Sequence, residues 1–311
     1  MNLLDGPLFP TFFKKIMKHF LWIALISPSL WAQQDLDTVK ITPTKISGNI
    51  YWLKGSGGNM GLLTGKDGNL LIDDQFATLS EKIKAAVQLL DNGSIKYLIN
   101  THVHGDHTGG NENFKKDGVT IIAQGNVRSR MMKEQYNAVR KTTTPPRDRE
   151  AWPVITFDDH LSLHINGEDV DVIHYNHGSH TDGDAIIHFR NANVYHMGDV
   201  FVRYGFPFID MSNGGSINGF IKVLDLALAR IDDKAVIIPG HGELATKADV
   251  KVFRDRLVDI RDQVAAALKK GKKPEELPAL GITDKYEADW GKGFLKGKDF
   301  VMMVAQELKG K

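Results

Sequence analysis

Ile99-Asn100-Thr101-His102-Val103-His104-Gly105-Asp106-His107-Thr108-Gly109-Gly110 is an apolar strand end that runs straight into three histidines and an aspartate, then into glycines. Side chains two positions apart on an extended segment point the same way, so His102 and His104 can grip one ion together. Gly105 lets the chain turn and aim Asp106 and His107 at a second ion nearby. A lone histidine is more often a satisfied polar residue than a ligand. Four ligand-type residues packed at one strand end are costly to fold without a cation, and the segment therefore reads as a metal centre.

The chain has no cysteine. That excludes disulfides, a thiolate nucleophile, a Cys-ligated zinc and a lipidated N-terminal Cys, so any metal must be held by histidines and carboxylates. Zinc prefers four ligands, and each ion needs partners from elsewhere in the chain. Three later segments end a strand with a ligand-type residue beside glycine: Gly178-Ser179-His180-Thr181-Asp182-Gly183-Asp184, Val194-Tyr195-His196-Met197-Gly198-Asp199 and Val236-Ile237-Ile238-Pro239-Gly240-His241-Gly242. In an open α/β arrangement, loops beyond strand ends gather into one crevice. His174 and His177 also sit near the first of these strand ends, but His180 is preferred for its Gly-X-His-Thr setting. His160, His164, His188 and His196 fall within strand patterns and read as structural or exposed.

Working outward, short strand-like runs open the mature region at Val39–Ile41, Ile50–Leu53, Met60–Leu63 and Leu70–Ile72, with Gly- and Asn-rich turns between the later ones. Helical spacing follows over Leu79–Leu90, then strands Ile95–Ile99 and Val119–Ala123 around the histidine loop. A polar helix is predicted over Asn126–Arg140, stopped by Pro145-Pro146. The second half repeats the pattern, with strands Val154–Phe157, Leu161–Ile165, Val170–Tyr175, Ala185–Phe189 and Asn193–His196. A helix Ile217–Ile231, a strand Ala235–Ile238, a long helix from Ala248 to Lys270 and a short one over Phe300–Leu308 complete it. No low-complexity linker interrupts residues 33–311, which read as one domain of α/β class, two sheets covered by helices. The tail after Lys270, with Trp290 and Phe294, either covers this sandwich or contacts a partner.

At the other end, Lys14, Lys15 and Lys18 precede the apolar run Phe20–Ile26, and Ser27-Pro28-Ser29-Leu30-Trp31-Ala32 comes before a polar Gln33. This describes a secretory signal peptide over residues 1–32, with translation expected to start at Met17 because Asp5, Gly6 and Pro10 are foreign to a leader. His19 leaves with it. The apolar run is too short for a stable membrane anchor. The competing reading is a buried N-terminal helix. The leader predicts a periplasmic or secreted protein. Lys plus Arg number 39 against 38 Asp plus Glu, a net charge of +1, so no strong field draws nucleic acid.

With these segments in order, the chain resembles the metallo-β-lactamase superfamily from about Thr38 to Lys270. The His-X-His-X-Asp-His signature stands complete at His102–His107, followed by the Gly-X-His-Thr, Gly-Asp and Gly-His-Gly elements. The resemblance implies a four-layer αβ/βα sandwich with a two-zinc site at one edge between the sheets. It implies that His102, His104 and His180 hold the first zinc, that Asp106, His107 and His241 hold the second, and that Asp199 bridges them. Asp74 resembles the family's early aspartate that braces the histidine loop.

Two zinc ions about 3.5–4 Å apart can share a hydroxide as nucleophile, with Asp106 orienting it and carrying its proton. True β-lactamases of this family usually carry Cys or Ser where this chain has Asp199, whereas a bridging Asp is more typical of thioesterase and lactonase branches. The leader argues against a cytosolic glutathione thioesterase, and no insertion between Asp199 and His241 is long enough for a nuclease cap. The expected substrate is a small carbonyl compound, a cyclic amide or ester. The alternatives are a thioesterase or lactonase with incidental lactamase activity and, outside enzymes, a secreted metal-binding protein. Gly55–Met60 reads either as a mobile hairpin tip that could close over substrate or as an ordinary surface loop. Phe201–Phe208 reads either as an aromatic wall with Arg203 as a cation for a substrate carboxylate or as a surface loop with core aromatics.

Overall fold

In the computed structural model, which describes residues 36–137 and 142–310, the residues from Leu36 onward form one unit built on two sheets. The first sheet begins with β1 (Thr42–Ser47), β2 (Ile50–Lys54), β3 (Met60–Leu63) and β4 (Asn69–Ile72), paired antiparallel in that order. It continues in parallel through β5 (Ile95–Ile99) and β6 (Thr120–Gln124). A small hairpin of β7 (Gln135–Asn137) and β8 (Thr142–Thr144) stands apart, and β9 (Ile155–Phe157) then closes the sheet beside β6. Parallel neighbours require crossovers. These are α1 (Ser80–Leu90) between β4 and β5, and the short α2 (Gly105–Thr108) and α3 (Asn111–Lys116) between β5 and β6. A further short helix, α4 (Gly125–Met131), follows β6.

The second sheet runs β10 (His160–Ile165), β11 (Glu168–His174), β12 (Ala185–Phe189) and β13 (Val194–His196), all antiparallel. Then β14 (Val236–Ile238) joins β13 in parallel across α5 (Ile217–Arg230). The chain finishes with α6 (Lys247–Lys269), whose start is fixed by a reciprocal Thr246–Asp249 capping box, then α7 (Glu287–Trp290) and α8 (Gly297–Lys309).

Strand periodicity explains why this is four layers. Successive residues face opposite sides of a sheet. In β4, Leu70 and Ile72 pack between the sheets with Val172, Ile187 and Ile238, while Leu71 packs outward with Ile83, Val87 and Phe114. In the second sheet, Ile187 and Ile238 face inward, and Ile186 and Ile237 face outward onto Phe220, Leu224, Phe253 and Leu257. The order is therefore helix, sheet, sheet, helix: the αβ/βα sandwich.

Three readings from sequence need amending, and one left open is decided. The first strand is Thr42–Ser47, not Val39–Ile41: Val39 and Ile41 pack against the outer cluster of the first sheet, and the polar Thr42-Pro43-Thr44-Lys45 supplies the edge strand. The helix expected over Asn126–Arg140 ends at Met131, its last buried residue, and exposed residues lead into β7; residues 138–141 lie outside the described set. The tail after Lys270 covers the sandwich, with Leu277, Leu295, Phe300, Val301 and Val304 in the same core cluster as α5 and α6. The expected tip at Gly55–Met60 is pinned. Gly58 N donates to Asp106 O (3.0 Å), Asn59 N donates to Gly240 O (2.7 Å), and Gln75 Nε2 donates to Gly58 O (2.6 Å). The expected leader, residues 1–32, lies outside the described residues. No helix among the described residues is long and apolar enough to cross a membrane.

Candidate metal centre

Parallel strands with helical crossovers leave their C-terminal ends free at one edge of the sheet. Just past β4 lie Asp73 and Asp74, and past β5 lies the segment His102–His107. The second sheet delivers Asp199 after β13, His241 after β14, and His180 in the turn before β12. The seven residues expected as ligands meet there. They form three overlapping groups, His102/His104/His180, His102/His107/Asp199 and Asp106/His107/His241, each with donor atoms within 4.8 Å of one another.

His104 Nδ1 faces His180 Nε2 at 2.8 Å, and His107 Nε2 faces His241 Nε2 at 3.2 Å. Asp199 stands between the groups, with Oδ1 3.3 Å from His107 Nε2 and 3.5 Å from His241 Nε2, and Oδ2 3.6 Å from His180 Nε2. Asp106 Oδ2 is 3.3 Å from His241 Nε2 and 3.7 Å from His107 Nε2. Tetrahedral zinc with bonds near 2.0–2.1 Å sets neighbouring ligand nitrogens about 3.3 Å apart. The spacing fits ligands around cations.

The protonation pattern says the same. A carboxylate or carbonyl oxygen only accepts, so the ring nitrogen facing it must carry the hydrogen. His107 Nδ1 faces Asp73 Oδ2 (2.7 Å), His104 Nε2 faces Asp210 Oδ2 (2.8 Å) and His180 Nδ1 faces Phe208 O (2.7 Å). Thr101 Oγ1 donates to Asp73 Oδ2 (2.7 Å) and is thus free to accept from His102 Nδ1 (3.0 Å). When neutral, each of these four rings turns its lone pair into the centre. At 2.8 Å, His104 Nδ1 and His180 Nε2 need a shared proton or a metal ion between them. His102 Nε2 and Asp199 Oδ1 are buried with no hydrogen-bond partner, a costly state that a metal would relieve.

The electrostatics are those of a site primed for cations. Burial opposes ionisation of Asp199, yet His241 and His107 hold its carboxyl well below the usual range. Burial also opposes charge on His107, but Asp199, Asp106 and Asp73 prevail and raise it well above the ordinary imidazole value. Burial lowers His102 and His180, the first strongly. Two glycines leave room for the cradle: a Cβ on Gly240 would lie 2.0 Å from Asp199 Oδ1, and one on Gly58 would lie 2.2 Å from His107 Cε1. Two divalent ions would fit, the first on His102, His104 and His180, the second on Asp106, His107 and His241, with Asp199 between.

Other expectations shift. The carboxylate that orients His107 is Asp73, one residue before the expected Asp74; Asp73 adopts φ +59°, which swings its side chain under the loop. Asp74 braces the loop's far end by accepting from Gly110 N (2.9 Å), and burial raises its pKa well above the carboxylate range. Arg203 is turned away from the site, donating to Leu244 O and standing 3.8 Å from Asp249. Phe208 does form a wall, its ring 6.1 Å from those of His104 and His180, with Phe294 edge-on against it. His174 bonds Asp184 O, His177 is exposed, and His196 is buried on Asn59 O. His160 and His164 pair with Asp171 and Asp169. Sequence reasoning missed Asp73, Thr101 and Asp210. The Asp73-Asp74 doublet was the available signal for the first, and Asp210-Met211-Ser212-Asn213 reads as no more than a turn.

A family model described as the metallo-beta-lactamase superfamily matches residues 53–241, more than half of the chain. Among curated proteins, the alkyl/aryl-sulfatase BDS1 of Saccharomyces cerevisiae is 22% identical over 314 aligned positions, which cover 85% of this chain and 48% of that protein. The chain thus spans about half the length of the curated relative it matches. The metallo-beta-lactamase from Pontibacter korlensis superposes with TM-score 0.59 at 16% identity, covering 71% of this chain and 100% of that one. The sec-alkylsulfatase Pisa1 from Pseudomonas sp. superposes with TM-score 0.66 at 17% identity, covering 86% of this chain and 50% of its own. At such identities the structures speak for the fold alone. Given the matched segment and the clustered histidines and aspartates within it, this chain belongs to the metallo-beta-lactamase superfamily and is a metallo-hydrolase of that fold.

Proposed function

We propose that the chain is an exported hydrolase that takes up two zinc ions and opens a small cyclic amide or ester by attack of water on its carbonyl. The observation that carries this reading is Asp199, one carboxylate reaching toward both ligand triads. A pair of zinc ions supplies a polarised carbonyl and a water with pKa near neutrality. The chain's own groups do the rest. Asp106 is 30% exposed at its side chain, the most open carboxylate of the cluster, and is the group that can take the water's proton and pass it to the leaving atom. Phe208 screens His104 and His180 from solvent and offers a flat apolar face to substrate. With Arg203 engaged by Leu244 and Asp249, no cation from that segment selects a substrate carboxylate, which favours an uncharged ester or lactone over an anionic lactam.

A second reading is sulfate-ester hydrolysis. The sulfatase likenesses extend over 85–86% of the chain, against 71% for the lactamase from Pontibacter korlensis. One experiment tests both. Mature protein loaded with zinc is assayed on a lactone, a β-lactam, a thioester and an alkyl sulfate, with metal content measured on the same preparation. Turnover of lactone or lactam supports the first reading, and turnover of alkyl sulfate alone supports the second. Two bound ions with no turnover would reduce the protein to a metal binder. Fractionation of cells making the full chain checks export, with recovery of uncleaved protein in the cytosol counting against it.

A further inference from the structure

We propose that Asp210 is a positioning residue that fixes which nitrogen His104 offers and thereby sets the metal affinity of the His102/His104/His180 triad, not of its neighbour. Imidazole can ligate through either nitrogen, and His104 stands apart from the other histidines of the centre. It presents Nδ1 inward, 2.8 Å from His180 Nε2, whereas His102, His107, His180 and His241 present Nε2. The Nδ1 choice requires the hydrogen on Nε2 and a fixed acceptor to hold it there. Asp210 Oδ2 is that acceptor, at 2.8 Å.

Asp210 is itself held in place. Its carboxylate accepts from Asn213 Nδ2 (2.8 Å), Asn213 N (3.2 Å) and Ser212 Oγ, and its backbone N–H donates to His180 O (2.9 Å). Two residues earlier, Phe208 O receives Nδ1–H of His180. One short loop, 208–213, therefore dictates the free lone pairs of two of the three nitrogens in the first triad. It makes no such bond to Asp106, His107 or His241. The loop is backed by the C-terminal segment: Ile209 N lies 3.4 Å from Met303 Sδ, Phe206 stacks on Phe300, and Phe206 pairs with Leu295 across an antiparallel bridge. A tail outside the matched family segment thus reaches the metal centre through Asp210.

The proposal rests on the two-metal reading, and the wild-type protein tests that reading separately. Metal-free wild-type, Asp210→Asn and Asp210→Ala proteins are titrated with zinc chloride against a chromophoric chelator. Wild type binding two ions upholds the metal centre, and wild type binding none overturns it together with this proposal. Given two ions, the expectation is that one site of Asp210→Asn weakens about tenfold and that of Asp210→Ala toward a hundredfold, the other site holding its wild-type affinity. At alkaline pH, where the ring is neutral, nitrogen-15 shifts of His104 would move from a fixed Nε2–H form toward a tautomer mixture in Asp210→Asn. Equal weakening of both sites, or unchanged affinity with an unchanged His104 signal, would overturn the proposal. Asp210 also caps the start of the turn Met211–Asn213, so Asp210→Ala can unfold; the isosteric Asp210→Asn then decides alone.

Discussion

The two ligand triads have similar donors but unequal backing. In the first, every ring is tied on its outer side: His102 to Thr101, His104 to Asp210 and His180 to Phe208 O. In the second, His107 is tied to Asp73, but Asp106 stands at the open side with its side chain 30% exposed; His241 and the first triad's His104 are exposed to a similar degree, 20% and 22%. His241 leans on the edge of the Tyr204 ring, 5.3 Å away. Outer partners restrict ring rotation and tautomer, which is what makes a ligand set tight. The difference teaches that a pocket built of like residues can hold one ion firmly and leave the other exchangeable, at the side where substrate and solvent arrive.

Removing the residue common to both triads should have the largest effect. Asp199→Ala takes away the carboxylate that faces His107, His180 and His241 together. Ester or lactam turnover is expected to fall about 10³-fold, roughly 4 kcal/mol of barrier. Metal analysis should find at most one ion per chain, held by the better-backed first triad. Two ions retained in Asp199→Ala would break the comparison, because the shared carboxylate would then be dispensable.

Proton competition sharpens it. In the metal-free protein, burial lowers His104, His107 and His241, but Asp210 outweighs it at His104, and Asp199 and Asp106 outweigh it at the other two; all three end above the ordinary imidazole value. A raised imidazole pKa contributes stability that is complete below the unfolded value and is lost as pH climbs through the folded one. Metal binding runs the opposite way, since a nitrogen must shed its proton before it can ligate. Zinc affinity should therefore rise about tenfold per pH unit for each proton displaced, up to the raised pKa of that histidine, and level off above it. Two raised histidines lie in the second triad and one in the first, so the weaker site should show the steeper slope. Calorimetric titrations in buffers of different ionisation enthalpy would count the protons released. A flat profile at both sites would contradict the charge arrangement.

How far the sequence carried depended on what kind of constraint acted. Short apolar runs such as Leu70-Leu71-Ile72 and Ile186-Ile187 are a short-range pattern, so the strands of both sheets were legible, while their four-layer arrangement came from the family resemblance. The seven candidate ligands, which the fold brings together, were legible too, because ligand types beside glycine at strand ends are a local signature. What escaped is what depends on contacts across the fold. Nothing local distinguishes Asp73 from Asp74; a left-handed φ at Asp73 decides it. Arg203 looks like an anion receptor until Asp249, capping α6, draws it away. Asp210 sits in an ordinary polar turn, and only the approach of His104, 106 positions earlier, gives it a task.

The smallest effect lies in the glycines, where sequence and structure disagree most usefully. Gly105, inside the signature, reads as the bend that separates the two triads. In the fold it opens α2 without a left-handed φ, and a Cβ there would meet nothing within 4 Å. Alanine restricts the unfolded chain more than glycine does, so Gly105→Ala should leave stability unchanged or raise it by up to about 1 kcal/mol. Gly240 makes the contrast, since its Cβ would lie 2.0 Å from Asp199 Oδ1 and 2.5 Å from Gly198 C, and backbone cannot yield cheaply. Gly240→Ala should cost about 1–3 kcal/mol and displace the shared carboxylate. Thermal unfolding of the two metal-free variants, followed by zinc titration, separates the cases. If Gly105→Ala proved the more damaging of the two, the division between the triads would lie in the backbone bend itself and not in the partners that hold their outer faces.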